Sequence, residues 1–334
     1  MTFRATTVAT DPLDYFLYHR DTLHVGDVIL RENKNPKEIF AAAIRLATGS
    51  KWSHSAIVYL VSDPPKGFHN AFLIEDTTKG THLTSWRNEV VPYKQFTVGI
   101  KRPRLEWYIE TPFERARHDP CDPENCHGID YLRHVRGIAL DQLNGRYDRK
   151  TVFELAALYA KRIAQRRLSS TQQLADAADA VAKFTKRWDE QGEKHGSALR
   201  FICSGLVQYS FFEALRVRIA HDLTIPEHRE AALSNLSNLQ RIIFCPDPEG
   251  LITHYLQQVQ AGMLDIADPA PEDIMDLLKT ATPADFNNSE HLQWSYVIRQ
   301  GVVWKIDVAP ADYQPQSQDE ADIIAMLAKE HFSS

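Results

Sequence analysis

The sequence predicts an α+β fold, a small antiparallel-rich sheet with helices packed against it, and three observations carry that reading. Short runs of β-branched and aromatic residues recur through the first hundred or so positions, separated by turn residues. Two of them, SAIVYL and AFLIEDT, are about ten residues apart across a Pro-Pro-Lys-Gly turn, which is the spacing of an antiparallel pair. Much later, FICSGLVQYSFFEALRVRIA makes a short apolar approach and then opens an amphipathic helix at Cys203 and Ser204.

Taken in order, HVGDVIL from His24 to Leu30 reads as the first strand. After Asn35-Pro36, PKEIFAAAIRLATGS has Pro at a helix start, apolar residues at helical spacing and Gly49 at the stop. The SAIVYL and AFLIEDT pair follows, and HLTSWRNEVVPY and FTVGIKR extend the β-rich part to about residue 102. From Thr111 to about Arg146 the composition turns polar and loop-like around DPCDPENCHG. GRYDRKTVFELAALYAKRIAQRRL and then STQQLADAADAVAKFTKRWDEQ, with Ser169-Ser170 as a capping pair, predict two helices that form an insertion or cap over 151–199. Their Lys and Arg runs read as solvated faces. Beyond the Cys203 helix the expectations are a polar stretch near 221–240, a short strand RIIFC, a helix in GLITHYLQQVQAGML, last strands in QWSYVIRQ and VVWKIDVA, and a peripheral tail after Pro310.

Size and charge bound the function. At 334 residues the chain exceeds one typical domain but suits a single large domain, 1–334, carrying an insertion. A hydrophobic content of 43% with 25% charged residues is that of a folded enzyme or binding protein, not of a disordered chain. Lys plus Arg total 38 against 44 for Asp plus Glu, and the net charge of -6 argues against nucleic acid or anionic membrane as a general partner. MTFRATTVATDPLDYFLYHRD has no apolar core between a basic start and a small-residue cleavage site, so no secretory signal is expected. The longest apolar runs fall far short of the roughly 20 residues of a transmembrane helix. The expected location is the cytoplasm as synthesised, with export lacking a signal peptide left open.

Four cysteines, at 121, 126, 203 and 245, are too few for a disulfide scaffold, which leaves room for a working thiol. A thiol attacks as thiolate, and a helix amino terminus with an adjacent imidazolium lowers its pKa from about 8.5. Cys203 has the helix start, with free backbone N–H groups beside it that suit an oxyanion. Of fourteen histidines, His54 is best placed as base, at the start of SAIVYL on a sheet edge. Antiparallel pairing of SAIVYL with AFLIEDT brings Glu75 or Asp76 beside it. Successive strand residues face opposite sides, so only one of the two orients the imidazole; Glu75 is favoured, with Asp76 the alternative. Cys121, Cys126, His127 and His118 are metal-ligand types close together, but structural zinc wants four ligands in paired motifs and no second pair is evident, so no metal is expected. Cys245, after RIIF, is expected to be buried.

The order GDVIL, helix, WSHSAIVYL, FLIED and only much later FICSGLV resembles the permuted members of the NlpC-type papain-like superfamily, the YiiX and YebB-like hydrolases. In that group the histidine precedes the cysteine. GRYD at Gly145 to Asp148 resembles its Gly-x-x-Tyr-Asp element, and TPADFNNSEHL from Thr282 its late Thr-Pro-x-Asp segment. The resemblance covers roughly 24–102, 140–150, 200–217 and 280–308, and the core pieces expected from it are 24–102, 140–150, 200–217 and 241–308. It implies a permuted papain-like fold and a Cys203, His54, Glu75 site that cleaves an amide through an acyl-enzyme without a cofactor. Tyr147, Trp52 and Ser204 are candidates to line the substrate. Peptidoglycan peptide is the first choice of substrate; a lipid ester or acyl transfer on the same site is the alternative. A non-catalytic binding module is the third reading. The insertion and the lack of a signal suggest a delivered effector or toxin, for which a partner or immunity protein binding near the site is expected.

Overall fold

The computed structural model describes residues 2–19, 22–33, 41, 44–45, 48–61, 71–77, 80–90, 96–118, 127–143, 146–147 and 200–327. Its strands are β1 (Thr2–Ala9), β2 (Val28–Asn33), β3 (His54–Val61), β4 (Ala71–Thr77), β5 (Gly80–Ser85), β6 (Phe96–Pro103), β7 (Arg146–Tyr147), β8 (Arg200–Phe201), β9 (Leu292–Arg299) and β10 (Val302–Ala309). Eight of them form one sheet in the order β1-β10-β9-β6-β2-β3-β4-β5, and every neighbouring pair in it runs antiparallel. β7 and β8 make a separate parallel pair. The α+β expectation therefore holds, with a larger sheet than the sequence suggested.

Both faces of the central strands are covered, which is why they read as near-continuous apolar runs. On one face Val28, Leu30, Ile57 and Ile74 pack with Leu206, Val207 and Phe211 of the helix Cys203–Leu223. On the other, Ile29, Ala56, Val58 and Leu73 pack with Phe16, Trp86 and Tyr296. The long helix is not amphipathic in its first half, since every residue from Cys203 to Phe212 is buried between the sheet and neighbouring helices.

Several elements depart from the expectations. The first strand is β1, not HVGDVIL. In that run His24 to Asp27 precede the strand and form a turn: Gly26 takes a left-handed φ of 85°, and the Asp27 carboxylate accepts the His24 N–H at 2.8 Å and Arg102 Nε at 2.9 Å. The described part of HLTSWRNEVVPY, up to Val90, divides into β5 and the short helix Trp86–Val90. The expected loop from Thr111 contains the helices Pro112–Ala116, with a Thr111/Glu114 capping box, and Ile129–Asp141, which buries Tyr131, Val135 and Ala139. The polar stretch near 221–240 contains the helix Arg229–Asn238. RIIFC is no strand, because buried Gln208 takes the bonds a neighbouring strand would make. Its Nε2 donates to the Ile242 carbonyl at 2.9 Å, and its Oε1 accepts the Phe244 N–H at 2.7 Å. The tail is not peripheral: the helix Gln318–Leu327 buries Ile323 and Leu327, and Glu320 accepts the Ala5 N–H of β1 at 3.1 Å. The predicted helices over 151–199 lie outside the described residues. Among those described, no helix is long and apolar enough to cross a membrane.

Phe211 is fully buried and meets the rings of Tyr131 and Phe244 edge-on. Phe211→Ala is expected to lower stability by about 3–5 kcal/mol. Val217→Ala, at a partly exposed position of the same helix, should stay within about 0.5 kcal/mol of wild type. Urea denaturation midpoints, compared at equal slope, check both.

Candidate active site

The site forms where the start of one strand meets the start of one helix. His54 is the first residue of β3, and Arg31 of β2 is its register partner. In the β3–β4 pair Ala56 stands opposite Glu75, so alternation puts Glu75 on the same face as His54 and displaces it diagonally from it. The contact follows, with His54 Nε2 donating to Glu75 Oε2 at 2.5 Å. That leaves Nδ1 as the ring nitrogen available to Cys203, which shares a hydrogen bond with the His54 side chain.

Cys203 is the first residue of its helix, and the preceding Ile202 is an extended N-cap with no side-chain capping bond and no acid in the first turn. The N–H groups and positive end of the helix are thus left uncapped by side chains beside the sulfur. Neighbouring residues anchor the helix start. Ser204 Oγ donates to the Ala281 carbonyl at 2.6 Å. A Cβ on Gly205 would come within 2.6 Å of the Lys279 carbonyl oxygen, so only glycine allows that approach. β8 leads directly into the helix, and Tyr147 of β7 pairs with Phe201.

Charge accumulates in this buried place in a definite pattern. Burial alone would raise the Cys203 thiol, but the His54 charge and hydrogen bond, with the Ser55 peptide N–H, hold the thiol below its ordinary value. Burial would likewise lower His54. The thiolate charge and the hydrogen bonds to Cys203 and Glu75 together outweigh burial and the opposing charge of Arg31 and push the imidazole up to about 10. Burial disfavours the Glu75 carboxylate, yet bonds from His54 and His82 hold its pKa well below the usual carboxylate range. The pattern is a thiolate–imidazolium pair backed by a carboxylate.

The structure thus brings Cys203, His54 and Glu75 together. Asp76 lies on the opposite side of β4, facing the Cys203 helix, and burial, with the thiolate charge, pushes its carboxyl up to about 8. Sequence reasoning missed His82, which sits opposite Glu75 in the β4–β5 pair. Its Nε2 lies 3.2 Å from Glu75 Oε1 and its Nδ1 donates to the Gly80 carbonyl at 2.8 Å. The hydrogen bond to Glu75 raises the His82 pKa. Extending the β3–β4 hairpin across to β5 would have found it.

Two of the candidate lining residues need correction. Trp52 is a core residue, wholly buried against Trp294 with Nε1 donating to Asn287 Oδ1 at 3.0 Å. Ser204 is buried with its hydroxyl committed to the Ala281 carbonyl, so that hydroxyl anchors the helix start and is not free for a substrate. The side chain of Tyr147, like Cys121 and Cys126, lies outside the described residues. His118 Nε2 is held by Glu110 Oε1 at 2.9 Å, and His127 Nε2 donates to the Leu105 carbonyl at 2.9 Å. Among the described residues no group of three or more His, Cys, Asp or Glu is arranged to hold a metal ion. Cys245 is buried, and burial pushes its thiol up to about 12, which makes it a poor nucleophile.

A scan of the chain against protein-family models finds no match, and a search of curated proteins finds none either.

Iodoacetamide labelling followed by peptide mass spectrometry tests the pair directly. Cys203 should label faster than Cys245 at neutral pH, with an apparent pKa below that of an ordinary thiol, because the thiolate form is the one favoured. In His54→Ala the compensating charge is gone while burial remains, so the labelling profile should move to higher pH. A profile indifferent to His54 would show that the two groups do not share charge.

Proposed function

We propose that this chain is a cysteine hydrolase of the permuted papain-like type, acting on an amide carbonyl. The observation that carries the reading is the continuous chain from the Cys203 thiol through His54 to Glu75, assembled from a helix start and two adjacent strands. A structural cysteine needs neither a buried histidine held by a carboxylate nor an uncapped helix terminus. The order of the residues, histidine before cysteine, is the order the resemblance implies.

In the mechanism, the Cys203 thiolate attacks the carbonyl carbon, and the π pair of the C=O bond moves onto oxygen. The backbone N–H groups at the helix start meet that charge. As the π bond re-forms, the C–N bond breaks and the amine leaves with the proton from the His54 imidazolium. Water, deprotonated by the neutral His54, then attacks the thioester, the C–S bond breaks, and the acid and the thiolate–imidazolium pair are restored. Glu75 keeps the imidazole in one tautomer and orientation throughout, and His82 holds the far oxygen of Glu75. Peptide amides, those of peptidoglycan among them, are the proposed substrate class.

The test is turnover of a panel of muropeptides, peptide amides and activated esters by wild type and variants, with intact-mass detection of the acyl-enzyme. Cys203→Ala should abolish turnover and mass adduct together. His54→Ala should cost about 10²–10⁴-fold in kcat, and Glu75→Gln less, since the imidazole remains. Turnover of esters with none of amides would assign the site to acyl esters; no adduct with any carbonyl substrate would overturn the catalytic reading in favour of a binding module.

A further inference from the structure

The chain from Cys203 to Glu75 leaves two buried polar atoms beside the sulfur without a hydrogen-bond partner among the described residues, Ser55 Oγ and Asp76 Oδ2. Asp76 is wholly buried at 0% exposure, and among the described residues its Oδ2 has no hydrogen-bond partner. Buried polar atoms are nearly always satisfied, so one left open beside a reactive group calls for an explanation, and a partner that arrives with the substrate is such an explanation. The other oxygen is occupied, with Thr81 Oγ1 donating to Asp76 Oδ1 at 3.3 Å from the register partner on β5.

The register aims Asp76 at the nucleophile. Because Ala56 pairs with Glu75, Ser55 and Asp76 stand side by side on the other face of the hairpin, in line with Leu30 and Thr81. Leu30 belongs to the core that the Cys203 helix covers, and that helix packs on both β3 and β4. Ser55 lies close enough to the sulfur for its peptide N–H to support the thiolate, while its hydroxyl makes no hydrogen bond among the described residues. Asp76, its neighbour on that face, is close enough to feel the thiolate charge.

We propose, resting on the reading of Cys203 as nucleophile, that Asp76 stands in this site as an uncharged carboxylic acid whose Oδ2–H donates a hydrogen bond to the carbonyl oxygen of the group under attack. When sulfur bonds to the carbonyl carbon, the π pair passes to that oxygen, and the Asp76 hydroxyl and the helix-start N–H groups share its charge. The proton stays on Asp76, and the one delivered to the leaving group comes from His54. Asp76 is thereby a catalytic residue rather than a spare for Glu75.

The protonation state follows from what surrounds the group. Cys203 faces it from the helix, Ser55 from β3 and Thr81 from β5, while His54 and His82, on the other face of the hairpin, act on it through their charge alone. Burial and the thiolate charge outweigh the two histidines and raise the carboxyl to about 8, so it carries its proton at neutral pH. Once ionised, it would repel the oxyanion instead of stabilising it. The acylation rate should therefore fall as pH rises through about 8, before His54 loses its proton near 10.

Two reagents separate the roles. Iodoacetamide alkylates sulfur at a saturated carbon and forms no oxyanion, whereas p-nitrophenyl acetate acylates it only by way of one. Asp76→Ala should slow acylation of Cys203 by p-nitrophenyl acetate about 10²–10³-fold and affect alkylation far less. Asp76→Asn, which keeps an uncharged donor, should recover most of the loss and remove the fall above about pH 8. The proposal is overturned by an Asp76→Ala protein that acylates like wild type, or by an alkaline fall unchanged in Asp76→Asn. If circular dichroism shows Asp76→Ala to be unfolded, the pH profile of Asp76→Asn decides. A wild-type Cys203 that reacts with neither reagent would instead remove the nucleophile reading on which the proposal rests.

Discussion

The register of one hairpin decides which side chains meet beside Cys203. With Ala56 opposite Glu75, Glu75 shares a face with His54, and Asp76 shares the other face with Ser55 beneath the Cys203 helix. A slip of one residue would exchange the two acids, since every side chain of a strand changes face together. The acid beside the histidine would then be the one now kept neutral, and the charged one would face the thiolate. Register is held because both faces are buried: Ile57 and Ile74 belong to one core and Ala56 and Leu73 to the other. Exchanging them would strand apolar side chains in the wrong layer.

Two carboxyl groups adjacent in sequence thus have opposite states for a physical reason. Glu75 accepts bonds from two histidines, and these overcome burial. Asp76 is buried with one weak donor, Thr81, and a nearby thiolate. Two negative charges placed that close in a low-dielectric interior are costly, so the proton goes to the group whose charge is less supported. Between them, the neighbours of the sulfur then present one imidazolium, one peptide N–H and one neutral acid. That environment supports a thiolate with the His54 imidazolium as its counter-charge.

How far the sequence revealed this depended on what each segment buries. The central strands β2, β3, β4, β6, β9 and β10 and the Cys203 helix were legible because apolar runs bounded by turn residues leave few alternatives. β1 was not, since TFRATTVA buries only Ala5 and carries no strong apolar pattern; its place is set by pairing along β10. RIIFC has strand composition, but the side chain of Gln208, more than thirty residues earlier, occupies its backbone groups. At the site, Cys203, His54 and Glu75 could be found from residue type and one hairpin. His82 required the next strand as well, and the orphaned oxygen of Asp76 required knowledge of burial on the far face. Trp52 and Ser204 were read as lining because they adjoin reactive residues in sequence, yet adjacency along a strand or helix start sends neighbours in different directions.

Cys203 and His54, the proposed nucleophile and base, are about 150 residues apart and are fixed to different bodies, one to a helix and the other to the sheet. Their mutual effect on protonation is therefore also a measure of how well those bodies pack. The helix start is set from below by Leu206 and Val207 against β2 and β3 and from the side by Ser204 and Gly205 against the Lys279–Ala281 turn. That turn leads into the helix Pro283–Asn288, which is capped by Thr282 and Asp285. Its far end is fastened to the sheet by buried Lys101, whose Nζ donates to the carbonyls of Phe286 at 2.6 Å and Asn287 at 2.9 Å. The late segment singled out by its Thr-Pro-x-Asp pattern thus joins helix and sheet without contributing a reacting group. Lys101, far from the sulfur, is thereby linked to the start of the Cys203 helix through the segment 279–288, which ties that helix to the sheet.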